Sequence, residues 1–208
     1  MSGGDFTTRM AVSGKLVEEL GDRFIKDNGT AIAELVKNSY DADATKVIIN
    51  FENAFAKTLE NSRVTISDNG CGMDKDDLTD FFFTIATSNK QREKITPKFG
   101  RWSHGERGLG RFGLQKLGFY STVITRKEGC PIYSFEIDWT KFTQLEDISE
   151  YEFVIKSNAE EWKDTFSNST GTIIIIKYLK QGMGGSNLQT IHRKVSSLVN
   201  PFQAENDF

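Results

Sequence analysis

The chain has 208 residues, of which 38% are hydrophobic and 26% are charged, and its sixteen Phe can fill a sizeable core. These proportions are typical of a globular protein with one large domain. The net charge of −3, from 26 basic and 29 acidic residues, gives no electrostatic case for binding nucleic acid or an anionic membrane over the whole surface. A local basic patch stays open.

Cysteine usage and hydropathy favour the cytoplasm and exclude a membrane protein. The only two cysteines, Cys71 and Cys130, do not suggest a disulfide framework. The longest apolar run, at 173–176, is far shorter than the roughly 20 residues that span a bilayer. The first ten residues carry no apolar signal core.

Hydrophobic spacing predicts two helices, two strands and a third helix in the first part of the chain. These elements are helices over 12–28 and 30–42, strands over 45–52 and 63–68, and a helix over 74–83. Ser13 and Thr30 are placed to cap the first two helices. Gly21 interrupts the first.

The second part of the chain begins with a polar, basic stretch at 86–108 that has almost no periodicity. A loop longer than about 12 to 15 residues in a compact domain is usually a lid, a binding loop or disordered. Beyond it the pattern predicts a short helix over 111–118, strands over 119–126, 132–138, 151–156 and 171–178, and a helix from Ser186. This order suggests an α+β fold with an antiparallel or mixed sheet covered by helices.

The second predicted helix contains the stretch AIAELVKNSYDADA, at 31–44. Positions i, i+4 and i+7 of a helix lie within about 60° of one another. The side chains at those positions are Glu34, Asn38 and Asp41, and Leu35 points to the other side. Taken alone, a solvated polar face explains this stripe as well as a functional site does.

A second motif, ISDNGCGMD at 66–74, follows a predicted strand. Asp, Asn and Gly are common turn residues, so an ordinary turn is one interpretation. The functional interpretation places Asp68 at the floor of a pocket, where its carboxylate accepts a hydrogen bond from the exocyclic amine of a base. Gly70 and Gly72 would let a ligand approach the backbone closely.

The third motif, GERGLGRFGLQKLG at 105–118, is a glycine-rich entry into a helix. Backbone amides at a helix start bind phosphate well. No strand directly precedes it, which disfavours a Rossmann site, and the chain has no G-x-x-x-x-G-K-[ST] loop. A flexible hinge is the alternative interpretation.

Three features in this order resemble the GHKL family of ATPases: E-L-x-x-N-S-x-D-A, D-x-G-x-G-M, and a long polar loop that is closed by the glycine-rich helix start. That family contains gyrase-type topoisomerases, ninety-kilodalton heat-shock chaperones, histidine kinases, MutL and the Microrchidia proteins. Gly171-Thr172 adds a fourth element, since the family places a Thr near the adenine. The resemblance covers roughly residues 10–180. It implies a Bergerat fold: two layers, with a mixed, mostly antiparallel sheet, helices on one face and a long ATP lid.

The resemblance implies a role for each matching residue. Glu34 corresponds to the general base that activates water, Asn38 to the magnesium ligand, and Asp41 to a polar residue near the nucleotide and its waters. Asp68 corresponds to the aspartate that accepts the adenine amine. One amide oxygen suits magnesium, which takes hard oxygen ligands and keeps several waters, and a nearby carboxylate can deprotonate water.

The remaining nucleotide contacts implied by the resemblance come from the two glycine-rich motifs, the SNK tripeptide and the last strand. They are Gly70, Gly72 and Met73 along the base, Lys90 at a phosphate, Gly105, Gly108, Gly110 and Gly113 in the lid, and Thr172 at the adenine. A solvated lysine is an equally good interpretation of Lys90.

The resemblance therefore implies ATP and magnesium as cofactors, with hydrolysis that closes the lid and forms a homodimeric clamp. Glu34 favours hydrolysis over phosphotransfer, because histidine kinase catalytic domains generally lack that base. A nucleotide-responsive binding module with negligible turnover is the main alternative, and a histidine kinase catalytic domain is a weaker one.

We expect residues 1–208 to form one ATP-binding domain, with its lid at about 86–110. Family hydrolases commonly take a phosphate-contacting lysine from a following transducer domain, so we expect an amino-terminal part of a longer protein that acts with a downstream domain or partner subunit. The SNK and GERGLGRFG motifs favour a prokaryotic Microrchidia-like or chaperone-like member. Whether the clamp acts on DNA, a protein client or a partner subunit stays open.

Overall fold

The computed structural model describes residues 12–83, 95–103, 112–158, 160–166 and 169–197. Its helices are α1 (Gly14–Phe24), α2 (Asn28–Asp41), a π-helical turn (Asp77–Phe82), α3 (Phe112–Leu117), α4 (Trp139–Phe142), α5 (Lys163–Phe166) and α6 (Gly185–Ser196). Two short 3₁₀ turns lie at Ile148–Glu150 and Glu160–Trp162.

Six strands form one sheet in the order β1-β2-β6-β3-β4-β5. They are β1 (Val47–Glu52), β2 (Arg63–Asp68), β3 (Gly118–Arg126), β4 (Tyr133–Asp138), β5 (Lys156–Ser157) and β6 (Gly171–Leu179). The pairings in this sheet are antiparallel along the whole order. The predicted α+β class with a helix-covered sheet is confirmed.

The central strand, β6, explains the apolar run at 173–176. Ile174 and Ile176 face the main core beneath the helices, whereas Ile173 and Ile175 join a smaller cluster on the other face. Phe166 of α5 closes that smaller cluster. Because both of its faces are covered, the strand reads as a continuous hydrophobic run rather than an alternating one.

The main core lies between the sheet and α2. Ile32, Leu35 and Val36 of α2 are 0%, 2% and 1% exposed, and the helix also packs on α3 and α6. This burial fixes the rotation of α2 about its axis. The opposite, polar stripe of the helix is thereby held in one orientation.

Two details of the first helices differ from prediction. α2 begins at Asn28, because Asp27 rather than Thr30 is the cap: the Asp27 carboxylate accepts a hydrogen bond from the Thr30 amide at 2.8 Å. α1 runs unbroken through Gly21, where a Cβ would lie 3.3 Å from the Phe112 side chain. That glycine therefore serves close packing on α3. Ser13 caps α1 as predicted.

The predicted strand over 151–156 is wrong except at its end. Only Lys156 and Ser157 pair with β4. The apolar side chains of Tyr151, Phe153 and Ile155 pack against the main core, which accounts for their alternation. Alternation shows which side chains are buried, whereas a strand also needs a backbone partner.

The predicted helix over 74–83 is present at 75–82, and all but its first two residues form the π-helical turn. The Phe83 amide bonds to the Leu78 carbonyl, five residues back. Consecutive residues Phe82 and Phe83 both contact the Phe135 ring, at centroid distances of 5.1 and 4.9 Å. The wider turn is what brings two neighbouring aromatic side chains onto the same core residue.

Within the described residues, no helix is long and apolar enough to cross a membrane.

Candidate functional site

Helix α2 carries the polar stripe that the sequence predicts. Glu34, Asn38 and Asp41 are all partly exposed, on a helix whose other side is buried. The first turn of α2 is capped by Asp27, and its last turn ends in a turn at Ala42–Ala44. The stripe is therefore a rigid surface, fixed at both ends.

Glu34 forms an ion pair that the sequence analysis missed. Its carboxylate lies 2.6 Å from the Lys37 ammonium, one helical turn along the same face. The two side chains are 32% and 22% exposed. The spacing i, i+3 predicts such a contact, so the sequence contained the signal.

Asp68 lies at the end of β2 and is tied to three parts of the chain. Its carboxylate accepts hydrogen bonds from the Ser39 hydroxyl at 2.9 Å, the Gly70 amide at 2.9 Å and the Thr172 amide at 3.2 Å. Burial raises the pKa of the Asp68 carboxyl, although these three hydrogen bonds act in the opposite direction. The result is a positioned, partly desolvated acceptor beside α2.

Ser39 and Thr125 belong to this site, and the sequence analysis did not find them. Ser39 follows Asn38 and joins α2 directly to Asp68. The Thr125 hydroxyl accepts a bond from the Met73 amide at 2.9 Å and lies 3.1 Å from the Thr172 hydroxyl. Both residues are buried. Thr125 comes from β3, so only the strand order reveals it.

The glycines of the second motif allow close contacts within the protein itself. A Cβ on Gly70 would lie 2.7 Å from the Ala42 carbonyl oxygen, and one on Gly72 would lie 2.0 Å from that of Arg126. Gly72 also has a φ of +68°, a conformation that favours glycine. The segment 69–73 is therefore pressed between the end of α2 and the end of β3.

A charged cluster holds the far side of that segment. The Lys127 ammonium lies 2.6 Å from Asp74 and 2.8 Å from Asp77. Each of the two aspartates also accepts a backbone amide from the other. The hydrogen bond from Lys127 lowers the pKa of Asp74 and raises that of Lys127 itself.

A sequence model described as histidine kinase-, DNA gyrase B- and HSP90-like ATPase matches residues 27–172 of the chain. That span holds the α2 stripe, Asp68 and Thr172 together. The chain belongs to the GHKL ATPase family.

This GHKL chain is also similar to several named proteins. Over 74% of this chain, the sequence is 26% identical to the putative type II restriction enzyme HgiDII of Herpetosiphon aurantiacus. Over 78% of this chain, it is 27% identical to ATPase morc-1 of Caenorhabditis elegans. Over 67% of this chain, it is 31% identical to the DNA mismatch repair protein MutL of Thermosipho melanesiensis. These matches span 23%, 22% and 23% of the respective relatives. Membership in this family of ATPases supports ATP binding and hydrolysis in general.

The structure brings part of the predicted GHKL site together. Helix α2, the end of β2 and the start of β6 carry seven of the predicted residues, either within them or directly after them: Asn38, Asp41, Asp68, Gly70, Gly72, Met73 and Thr172. Gly113 lies in α3, where a Cβ would be 3.2 Å from the Ala31 carbonyl oxygen, so its described contact is helix packing. Lys90, Gly105, Gly108 and Gly110 lie outside the described residues.

Magnesium is tested here against the side chains that this GHKL chain presents on the α2 stripe. Among the described residues, no group of three or more His, Cys, Asp and Glu side chains could hold a metal ion. Asn38 supplies an amide oxygen on the stripe. Magnesium needs only one or two protein oxygens when phosphates and waters complete its octahedron.

Proposed function

We propose that this chain binds ATP between α2 and the end of β2 and hydrolyses it in a magnesium-dependent reaction. One observation carries the proposal: Ser39 of α2 donates a hydrogen bond to Asp68, at 2.9 Å. That contact lies between Asp68, the proposed acceptor of the adenine amine, and the helix that carries Asn38 and Glu34. The base and the phosphates of one nucleotide would thus both lie against α2.

The adenine would sit on Asp68. One of its carboxylate oxygens already bonds to two backbone amides, from Gly70 and Thr172. This fixes the carboxylate in the plane needed to accept an exocyclic amine. Met73, which packs against the core, would flank the base, and the Thr172 hydroxyl would bond to it directly or through water.

Glu34 would act as the general base for the attacking water. In the described structure its carboxylate pairs with Lys37, a contact at the protein surface that is weak and easily exchanged. Turning from Lys37 toward a water needs only side-chain rotation. The proton then passes from water to the Glu34 carboxylate.

Asn38 would hold magnesium through its side-chain oxygen, with Asp41 oriented toward the waters. The ion, when bound, supplies charge neutralisation for the phosphate oxygens. The protein contributes the fixed position of α2. Because one side of this helix is buried, the polar side chains on its other side keep their positions.

We further propose that nucleotide binding closes the lid and forms a homodimeric clamp, within a longer protein that provides a transducer domain or works with a partner subunit. The support is the family, together with the short span of its relatives that the chain matches. Two of the named relatives are a restriction enzyme and a mismatch repair protein. DNA is therefore the partner to test first.

The hydrolysis proposal is tested by phosphate release from the wild-type chain and from Glu34→Ala, each with saturating magnesium and ATP. Loss of a general base is expected to lower turnover by about 100-fold or more, while ATP affinity stays similar. Glu19→Ala, which removes an exposed carboxylate from α1, is the control and should keep full turnover.

Three outcomes would contradict the proposal in different ways. Equal turnover in the wild type and in Glu34→Ala would remove Glu34 as the base. Binding without any turnover in the wild type would favour the nucleotide-responsive binding module instead. Transfer of phosphate to a histidine of a partner protein would favour the kinase alternative.

A further inference from the structure

The middle of the predicted lid is a small, closed hairpin. Residues 95–103 contain a β-bridge between Ile95 and Trp102. The Thr96 amide bonds to the Arg101 carbonyl at 2.8 Å, and the Gly100 amide bonds to the Thr96 carbonyl at 3.0 Å. We call these nine residues the α2 clasp, because their outward contacts go to the end of α2.

Arg101 is the main contact of the α2 clasp. It is 3% exposed, and its guanidinium stacks on the rings of Tyr40 and Phe99, at 4.7 and 4.8 Å from their centroids. Its Nη1 donates to the carbonyl oxygens of Ala44 at 2.7 Å and Tyr40 at 3.4 Å. These carbonyls belong to the end of α2 and the turn that follows, where helix carbonyls lack partners within the helix.

Asp43 is the second contact of the α2 clasp. Its φ of +58° puts it in the left-handed conformation that ends many helices. Asp43 is 4% exposed, and its carboxylate accepts the Thr96 hydroxyl at 2.5 Å and the Lys98 amide at 2.8 Å. An aspartate tolerates this backbone, and here its side chain is paired to the clasp.

The same turn touches both parts of the proposed ATP site. The Ser103 hydroxyl of the α2 clasp donates to the Asp41 carboxylate at 3.1 Å. The Ala42 carbonyl accepts the Cys71 amide at 2.8 Å, beside Asp68. A shift of the turn would therefore move Asp41 and the segment 69–73, next to Asp68, together.

We propose that Arg101 is a positioning residue for ATP binding: by bonding the turn after α2, it sets where Asn38, Asp41 and the segment after Asp68 stand. This inference rests on the proposed function, because it concerns the same nucleotide site. Arg101 lies about sixty positions along the chain from the carbonyls that it bonds, and the family resemblance assigns it no role. The planar, stacking guanidinium suits two carbonyls and two rings, whereas a lysine offers a single point charge.

The experiment measures ATP affinity by calorimetry, with magnesium, for the wild type, Arg101→Gln and Arg101→Lys. Melting temperatures are recorded for each, and titrations are run well below the lowest of them. Arg101→Gln is expected to weaken ATP affinity about tenfold, within the range typical of coupling between sites. Arg101→Lys should recover only part of this loss, because it lacks the stacking and the second bond.

Two controls separate positioning from mere stability. Trp139→Phe removes the bond from Trp139 to the Ser121 hydroxyl, which involves neither α2 nor the clasp. It should lower the melting temperature and leave ATP affinity unchanged. Arg63→Gln removes an exposed arginine of β2 and should change neither quantity.

A double variant tests whether Arg101 acts through the magnesium ligand. In an Asn38→Ala background, the affinity loss from Arg101→Gln should shrink, because part of what it positions is already gone. Full additivity, or a lower melting temperature with unchanged affinity in the folded single variant, would overturn the inference. Failure of the wild type to bind ATP would instead overturn the proposed function.

Discussion

Asp68 is the residue on which recognition of the base depends in this account. Its carboxylate is partly desolvated, fixed by three donors and placed beside α2. Asp68→Asn replaces an acceptor oxygen with an amide donor, which would face the adenine amine and leave a buried group mispaired. We expect it to weaken ATP binding by about 1 to 3 kcal/mol, measured by calorimetry. Equal affinity of the wild type for ATP and GTP would contradict the assignment.

The raised pKa of Asp68 adds a pH dependence of known sign. Burial raises the pKa above the ordinary value of 3.8, and only the ionised carboxylate keeps both oxygens as acceptors for its present donors and for the amine. Affinity for adenosine should therefore be full at pH values above the raised pKa and should fall as the pH drops through it. An ordinary aspartate would keep its affinity to lower pH. Adenosine is used because it has no phosphate to titrate, and loss of affinity on raising the pH would contradict the account.

Gly72 holds the segment next to Asp68 in place. Gly72→Ala adds a Cβ that would lie 2.0 Å from the Arg126 carbonyl oxygen, at a φ of +68°. We expect a loss of more than about 2 kcal/mol in the free energy of unfolding, from strain and overlap together. Denaturant titration measures this.

Gly129→Ala is the matched control for Gly72→Ala. Gly129 has a φ of +72°, and a Cβ there meets nothing within 4 Å. That variant carries the backbone strain alone, so its loss should be about 1 to 2 kcal/mol. Equal losses in the two variants would show that the contact with Arg126 does not matter.

At the scale of elements, the cluster of Lys127, Asp74 and Asp77 joins the end of β3 to the helix that follows the segment 69–73 and contains the π-helical turn. Lys127 is 38% exposed, so solvent screens its two ion pairs and their value is modest. Lys127→Met should lower the free energy of unfolding at neutral pH by about 0.5 to 1 kcal/mol. Lys156→Met, which removes an exposed ion pair at 3.8 Å from Glu161, should cost less.

The pH dependence of the Lys127 effect follows from Asp74. The hydrogen bond from Lys127 holds the pKa of Asp74 below its ordinary value of 3.8. The stability gained is therefore present at pH values above 3.8 and is lost as the pH falls through the lowered pKa. The difference between wild type and Lys127→Met should vanish in strong acid. A difference that grows on acidification would contradict this cluster.

Elements whose pattern is local could be predicted from the sequence, and those that depend on distant partners could not. The α2 stripe follows from helical spacing alone, and β6 from a continuous β-branched run. The stretch 151–156 alternates like a strand, yet it lacks a backbone partner over most of its length. The capping of α2 by Asp27 rather than Thr30 shows that a helix start can be misplaced by a few residues even where the helix is clear.

The same distinction holds for the candidate site. Glu34, Asn38 and Asp41 could be found because they lie within one helix, and Lys37 lies within the same reach. Thr125 could not be found, because its place beside Thr172 depends on β3 pairing with β6. Arg101 bonds to carbonyls 57 and 61 residues away, and no periodicity connects such positions.

At the scale of the whole molecule, the antiparallel sheet is what makes one site out of separate motifs. β2 and β6 pair so that Asp68 lies opposite Thr172, although 104 residues separate them in sequence. Helix α2 lies across this point and joins it through Ser39. The chain matches about a fifth to a quarter of the length of its named relatives. Nucleotide binding by this chain is therefore tested separately from any activity that a whole protein would drive with it.

Calorimetric titration of the full chain with ATP and with a non-hydrolysable analogue, each with and without magnesium, tests the central claim most directly. The account predicts saturable binding of one nucleotide per chain, strengthened by magnesium, and loss of that strengthening in Asn38→Ala. Absence of binding by the wild type would contradict the nucleotide site itself. Magnesium dependence that survives in Asn38→Ala would contradict the assignment of the ligand.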